Sequence, residues 1–225
     1  MSTHTITAIV ANPRHAGRFS VVVDGKAFAT LGVEALERLQ LAVGASVEGR
    51  VEAIADEAAA LHTYDRALNM LAARARSSKE LERLLVRKGE EPRHVRGTID
   101  RLTQAGFLDD AAFARQVARS RLSGAGHSAR RVRQELSRKG VERSVADESV
   151  REVVDDEGID EQALAVAAAE KKLRALRGLE PAVCRRRLYA YLARRGFAPD
   201  AIRHATEHVG EALSATDGAE DRGEA

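Results

Sequence analysis

Apolar residues recur every three or four positions along most of this chain, and only residues 1–60 depart from that rhythm. In that first segment the pattern is of short β-branched runs: Ile6–Val10, then Phe19–Val23, with Asp24-Gly25 behind as a tight-turn signal and Lys26–Ala29 as the returning strand. Leu36, Leu39 and Val43 stand at helical spacing in a short helix starting near Val33 and ending near Gly44. Val47–Ile54 predicts a further strand. A small β-rich module over 1–60 follows, joined to the body through the alanines of 58–60.

From Tyr64 onward the pattern is helical and it repeats. An apolar pair at i, i+4 precedes two cations and a glycine three times: Leu81/Leu85 before Arg87-Lys88-Gly89, Val132/Leu136 before Arg138-Lys139-Gly140, and Leu188/Leu192 before Arg194-Arg195-Gly196. The apolar pair shares one helix face, the cations suit the negative end of the helix dipole, and glycine supplies a left-handed cap. Val95, Ile99 and Leu102 follow Gly89 by six, ten and thirteen residues, and Ile202, Thr206 and Val209 repeat that spacing after Gly196. Val145, Val150 and Val153 follow Gly140 by five, ten and thirteen. A further helical stretch precedes each motif, at Tyr64–Arg74, Ala111–Leu122 and Glu161–Leu176. The expected architecture is mainly α: tandem three-helix repeats over 61–110, 111–159 and 160–210, stacked into an elongated, curved body, with an acidic disordered tail at 211–225.

Charge adds to this picture through its distribution, since the total is only +2. Residues 111–145 carry nine Arg or Lys against Glu135 and Glu142, residues 146–161 run to −7, and 171–195 carries nine cations against Glu180. Basic blocks of this size suit polyanions. In the middle repeat, Phe113 and Val117 are expected to face inward while Arg115 and Arg119 share another face. Val132 and Leu136 should likewise leave Arg130, Arg133 and Arg138 outside, with Ser128 as the helix N-cap. Arg87, Lys88, Arg115, Arg119, Arg121, Arg130, Arg131, Arg133, Arg138 and Lys139 are the candidate partner- or DNA-binding set. Any one of them is equally a solvated surface charge.

Gly106-Phe107-Leu108-Asp109-Asp110, followed by Phe113-Ala114 and Arg119-Ser120-Arg121, resembles a run found in the RecX family. So do Gly126, Arg130, Val132-Arg133-Gln134-Glu135-Leu136 and Lys139-Gly140, and upstream Ala67-Leu68, Leu71, Ser77, Glu80-Leu81 and Leu85. The resemblance covers about Tyr64–Val209, is most specific over Gly106–Gly140, and leaves residues 1–60 outside it. It implies a non-enzymatic, monomeric regulator of homologous recombination and the SOS response. Such a protein binds RecA and the RecA–single-stranded DNA filament and inhibits filament extension, ATP hydrolysis and strand exchange; some members also bind DNA directly.

No phosphate-binding loop of the G-x-x-x-x-G-K-[ST] type occurs, and Gly124-Ala125-Gly126 lacks the third glycine of a dinucleotide fingerprint. His204 and His208 share a helix face, but Glu207 stands on another, so neither metal nor cofactor is expected. The lone Cys184 and the lack of an apolar run of about 18 residues make a cytoplasmic protein the expectation. Two rival readings stand: a helix-turn-helix regulator of duplex DNA, and a protein-only repeat scaffold.

Overall fold

Val21, Val23 and Leu31 alternate with more exposed neighbours, and that period of two makes a half-buried antiparallel sheet. A computed structural model describes residues 4–13, 15–176 and 178–220, the last ten as backbone only. Its strands are β1 (Ile6–Ala11), β2 (Arg18–Val23) and β3 (Lys26–Gly32), in the order β1-β2-β3 and all antiparallel, with Ile9 opposite Val21 and Phe19 opposite Leu31. Asp24 and Gly25 both take positive φ, 50° and 78°, which gives the β2–β3 hairpin the turn that matches strand twist. Helix α1 (Val33–Arg38) is shorter than expected. Gln40 turns left-handed at φ 49° and stops it, and Val43 is left exposed.

The strand expected over Val47–Ile54 is absent. Gly49 turns the chain at φ 72°, and the helix-favouring sequence Val51-Glu52-Ala53-Ile54-Ala55 opens α2 (Val51–Ala73). Residue 46 contributes only an isolated bridge to Thr5. Residues 58–60, expected as a connector, lie in the middle of this 23-residue helix. Its first turns bury Ile54 with Ile6, Val21, Leu31 and Val47. Its last turns bury Ala67 with Leu81, Leu85, Val95 and Leu102. One helix therefore belongs to both cores.

The first three-helix domain comprises α2, α3 (Ser78–Arg87) and α4 (Pro92–Gln104). The second comprises α5 (Asp110–Arg119), α6 (Ala129–Arg138) and α7 (Arg143–Asp156), and the third α8 (Glu161–Leu173), α9 (Pro181–Arg194) and α10 (Pro199–Glu220). In each, the first helix packs on the third. Two compact bodies result: Met1–Leu108, and Asp109–Ala225 with the second and third domains. Helix α5 ends earlier than expected in a π-turn over Ser120–Gly124, and α8 tightens into a 3-10 turn over Arg174–Leu176. The tail expected to be disordered from 211 begins inside α10, which runs to Glu220; residues 221–225 lie outside the described residues.

The three glycines close three equivalent caps. Gly89, Gly140 and Gly196 have φ of 88°, 84° and 91°. The residue after each donates its amide to the carbonyl of Leu85, Leu136 or Leu192, at 3.2, 3.1 and 3.3 Å. This is the Schellman arrangement, and it satisfies carbonyls that the helix end leaves open. Ser77 and Ser128 start α3 and α6 by accepting from the amides of Glu80 and Arg131. Helix α9 begins instead with Pro181 at its first turn.

Candidate partner-binding surface

Arg115 and Arg119 leave α5 on the side that faces α7, and α7 carries the acidic block. Arg115 pairs with Glu152 at 3.4 Å, and Arg119 lies 3.3 Å from Glu157 and 4.0 Å from Asp156. Arg133 of α6 reaches Asp147 at 3.0 Å. The oppositely charged blocks of the sequence are thus folded against each other within one domain. Exposed pairs of this kind stabilise by roughly 0–1 kcal/mol each, but they remove the strong local field that each block would have alone.

Arg121 makes the best-formed pair. Its Nε and an Nη each donate 2.9 Å bonds to the two oxygens of Glu135, a bidentate fork. That hydrogen bonding holds the Glu135 carboxyl below its ordinary range and raises the Arg121 guanidinium. Arg121 therefore fastens the end of α5 to α6.

Arg130 and Arg131 stand where the second domain meets the third. Arg130 donates its Nε to the Gly196 carbonyl at 3.1 Å, and Arg195 returns an Nη bond of 3.0 Å to the Gly126 carbonyl. A Cβ built on Gly196 would lie 2.6 Å from Ser128 Oγ and 2.7 Å from Arg131 Cβ. The third glycine is thus a close-approach site as well as a helix cap. His127 lies beside this joint, its Nδ1 buried without a hydrogen-bond partner. Burial first, and then the cations Arg195 and Arg121, hold its pKa below the ordinary value.

The rest of the expected set lies at helix ends. Arg87 occupies the last turn of α3 and Lys88 its C-cap, both exposed. Arg138 and Lys139 hold the same places on α6, with the Lys139 ammonium 5.8 Å from the Phe113 ring. The fold therefore does not gather the ten residues into one cluster of free cations. Four pair with carboxylates of the second domain, Arg130 and Arg131 build a joint, and Arg87 and Lys88 stand in the other compact body. The long-range pairs escaped sequence reasoning because Arg115 and Glu152 are 37 positions apart.

Among the described residues no group of three His, Cys, Asp or Glu side chains is placed to hold a metal ion. His208 meets Glu170 of α8 at 3.9 Å. Cys184 is buried, with its sulfur 3.4 Å from the Leu176 carbonyl. No helix of the described residues is long and apolar enough to cross a membrane.

The chain matches three family models, each described as a RecX three-helix domain: the first over residues 64–102, the second over 109–150 and the third over 160–206. "Regulatory protein RecX" of Chromohalobacter salexigens is 37% identical over 147 residues, which are 65% of this chain and 92% of that relative. The protein of the same name from Halorhodospira halophila is 36% identical over 149 residues, 65% of this chain and 88% of the relative. A solved structure of a regulatory protein RecX superposes with a TM-score of 0.72 at 21% identity, covering 91% of this chain and 99% of its own. That coverage reaches past the three-helix domains into the N-terminal module, which the sequence resemblance left out. RecX from Lactobacillus salivarius gives a TM-score of 0.55 at 20% identity over 67% of this chain. With all three of its helical domains matched and nearly the whole length of relatives above 30% identity covered, this chain belongs to the RecX family of regulatory proteins.

Proposed function

We propose that this protein regulates recombination by binding RecA and the RecA–single-stranded DNA filament, slowing filament extension, ATP hydrolysis and strand exchange without catalysis of its own. The observation that carries the reading is the ordered match of all three helical domains to the RecX models, together with 37% identity to a regulatory protein of that name. Exposed Arg87 and Lys88 at the end of α3 are the first domain's contribution to the contact. Arg138 and Lys139 are the second domain's, because they take equivalent positions before an equivalent glycine.

The helix-turn-helix alternative fits less well. A duplex reader needs arginines of α6 free to reach base edges, and here Arg133 and Arg130 are committed within the protein. The test is RecA's DNA-dependent ATP hydrolysis with increasing amounts of the full chain. Loss of hydrolysis at substoichiometric protein is expected. Full hydrolysis at a several-fold excess overturns the reading, and protection of a defined duplex site would favour the alternative.

A further inference from the structure

Between α1, α2 and α4 the first compact body holds a recess of about 410 Å³. Glu34 lines it from α1, Leu61 and Tyr64 from α2, and Gly97, Thr98 and Arg101 from α4. Its volume falls in the range of small-molecule sites. Two residues of α4 in its wall have no explanation in the packing of the protein itself.

The first is Gly97. Glycine inside a helix is less stable than alanine, and a Cβ built on Gly97 would meet nothing within 4 Å. The three-helix fold does not ask for it either. Eight residues after the capping glycine, where the first domain has Gly97, the second has Glu148 and the third His204. The second is Thr98, which is 4% exposed, yet its hydroxyl has no hydrogen-bond partner among the described residues. Thr63, Thr103 and Thr206, at other helical positions, each donate to the carbonyl four residues back. Ser149, the counterpart of Thr98 in the second domain, donates to the Ala111 carbonyl at 3.4 Å. A buried polar group left unpaired is costly unless something outside the fold pairs it.

The rest of the wall is rich in donors. Arg18, Arg38, Arg93 and Arg101 line the recess against Glu34 and Glu57, while Asp65 and Asp56, which hold Arg18 and Arg93, stand outside the lining. Arg101 is the least committed of the four. Its guanidinium lies 4.5 Å from the Tyr64 ring centroid, and its ion pair to Glu34 is a loose 3.7 Å between exposed side chains. Stacking on a ring occupies the face of a guanidinium and leaves its N–H edge for an acceptor. Val33, 48% exposed, gives the same recess an apolar flank.

We propose that this recess binds a small phosphate monoester, with Arg101 and the Thr98 hydroxyl donating to the phosphate and the organic part lying over Gly97 against Val33. A phosphate monoester carries about −1.5 to −2 charge at neutral pH and has oxygens enough to meet a guanidinium and a hydroxyl at once. A nucleic-acid backbone must run on past its site in both directions, whereas this recess is walled by three helices. The site uses none of Arg87, Lys88, Arg138 and Lys139, so it stands or falls independently of the recombinase reading.

The test is isothermal titration calorimetry of the full chain with ribose 5-phosphate, glycerol 3-phosphate and AMP, with ribose as the uncharged control. One-to-one binding of at least one ester at a Kd below about 1 mM is expected, and none of ribose. Arg101→Gln should weaken that ester roughly 10- to 150-fold and Thr98→Val roughly 2- to 12-fold, the losses of a charged and a neutral hydrogen bond. Gly97→Ala should raise the thermal midpoint of the unloaded chain, because alanine favours helix, and should weaken the ester. Thr98→Val should leave that midpoint unchanged or higher, and a lower one would return the hydroxyl to a structural role and overturn the proposal. Failure of all three esters to bind overturns it too, as do Arg101→Gln and Thr98→Val variants that bind like the parent. Full displacement of the ester by oligo(dT) would give the recess to nucleic acid and overturn it equally.

Discussion

The amide of Ser128 donates a 3.1 Å hydrogen bond to the carbonyl of Arg195, so the residue that caps α6 in the second domain is tied to the residue that ends α9 in the third. The bond sits among three others that cross the same joint or support it: Arg130 to Gly196, Arg195 to Gly126, and the Arg131 amide to Ser128 Oγ. Leu164 of α8 packs against the cores of both domains. The connection is therefore polar and directional at its rim and apolar beneath.

The joint makes two equivalent glycines unequal. Gly89 and Gly196 share a left-handed φ, 88° and 91°, but a Cβ on Gly89 would meet nothing within 4 Å. Gly89→Ala should cost the strain of that backbone alone, about 1–2 kcal/mol. Gly196→Ala adds overlap with Ser128 Oγ and the Arg131 Cβ and should cost visibly more. Urea denaturation of the two variants decides it, and equal midpoints would show that the joint gives way to a methyl group without cost.

His127 gives the same region a pH dependence. Its pKa is lowered by burial, then by Arg195 and Arg121, with Arg131 adding and Glu135 opposing. A base held neutral in the fold protonates more readily when the chain unfolds, so the unfolded chain binds more protons. The contribution is whole above the ordinary value of 6.5 and is lost as pH falls below it. Thermal midpoints at about pH 7.5 and about pH 5.5 should therefore differ more in the parent than in His127→Gln. An equal fall in both proteins would refute this.

Glu135 works in the opposite part of the scale. Arg121 lowers its pKa by a bidentate bond, so its stabilisation is present above the ordinary 4.5 and fades as pH drops through the lower folded value. Arg121→Ala and Glu135→Gln should each reduce the steepness of acid unfolding between pH 5 and about pH 3, and the double variant should add little to either single one.

Leu136 is wholly buried, and its carbonyl receives the cap bond from Val141. Leu136→Ala should destabilise the second domain by about 2–5 kcal/mol, read as a shift in denaturation midpoint. The variant Arg138→Ala, at an exposed position two residues on, should shift it by no more than about 0.5 kcal/mol.

The helical domains were legible because each carries its own signature: an apolar pair, two cations and a glycine that needs a left-handed turn. Those are local demands, and local demands leave traces in sequence. The strand expected at Val47–Ile54 failed because the β-branched Val47, Val51 and Ile54 read as one run, whereas Gly49 turns the chain and Val51 already opens the helix that buries Ile54. The surface was the least legible part. A count of arginines over 111–145 could not show that Arg115, Arg119 and Arg133 fold onto Glu152, Glu157 and Asp147, since that depends on how α5 and α6 lie on α7. The basic block 171–195 was visible in the same count, but only the fold shows that Arg185, Arg186, Arg187 and Arg194 of α9 meet no carboxylate among the described residues.

Helix α2 has a consequence for how this molecule comes apart. Ile54 near its start and Ala67 near its end are anchored in separate cores, and one unbroken helix connects them. Loosening the sheet therefore frays the same rod that the first helical domain leans on. The two should melt as one cooperative block, and a protease that cut near residue 60 would wound both halves rather than release a tidy fragment.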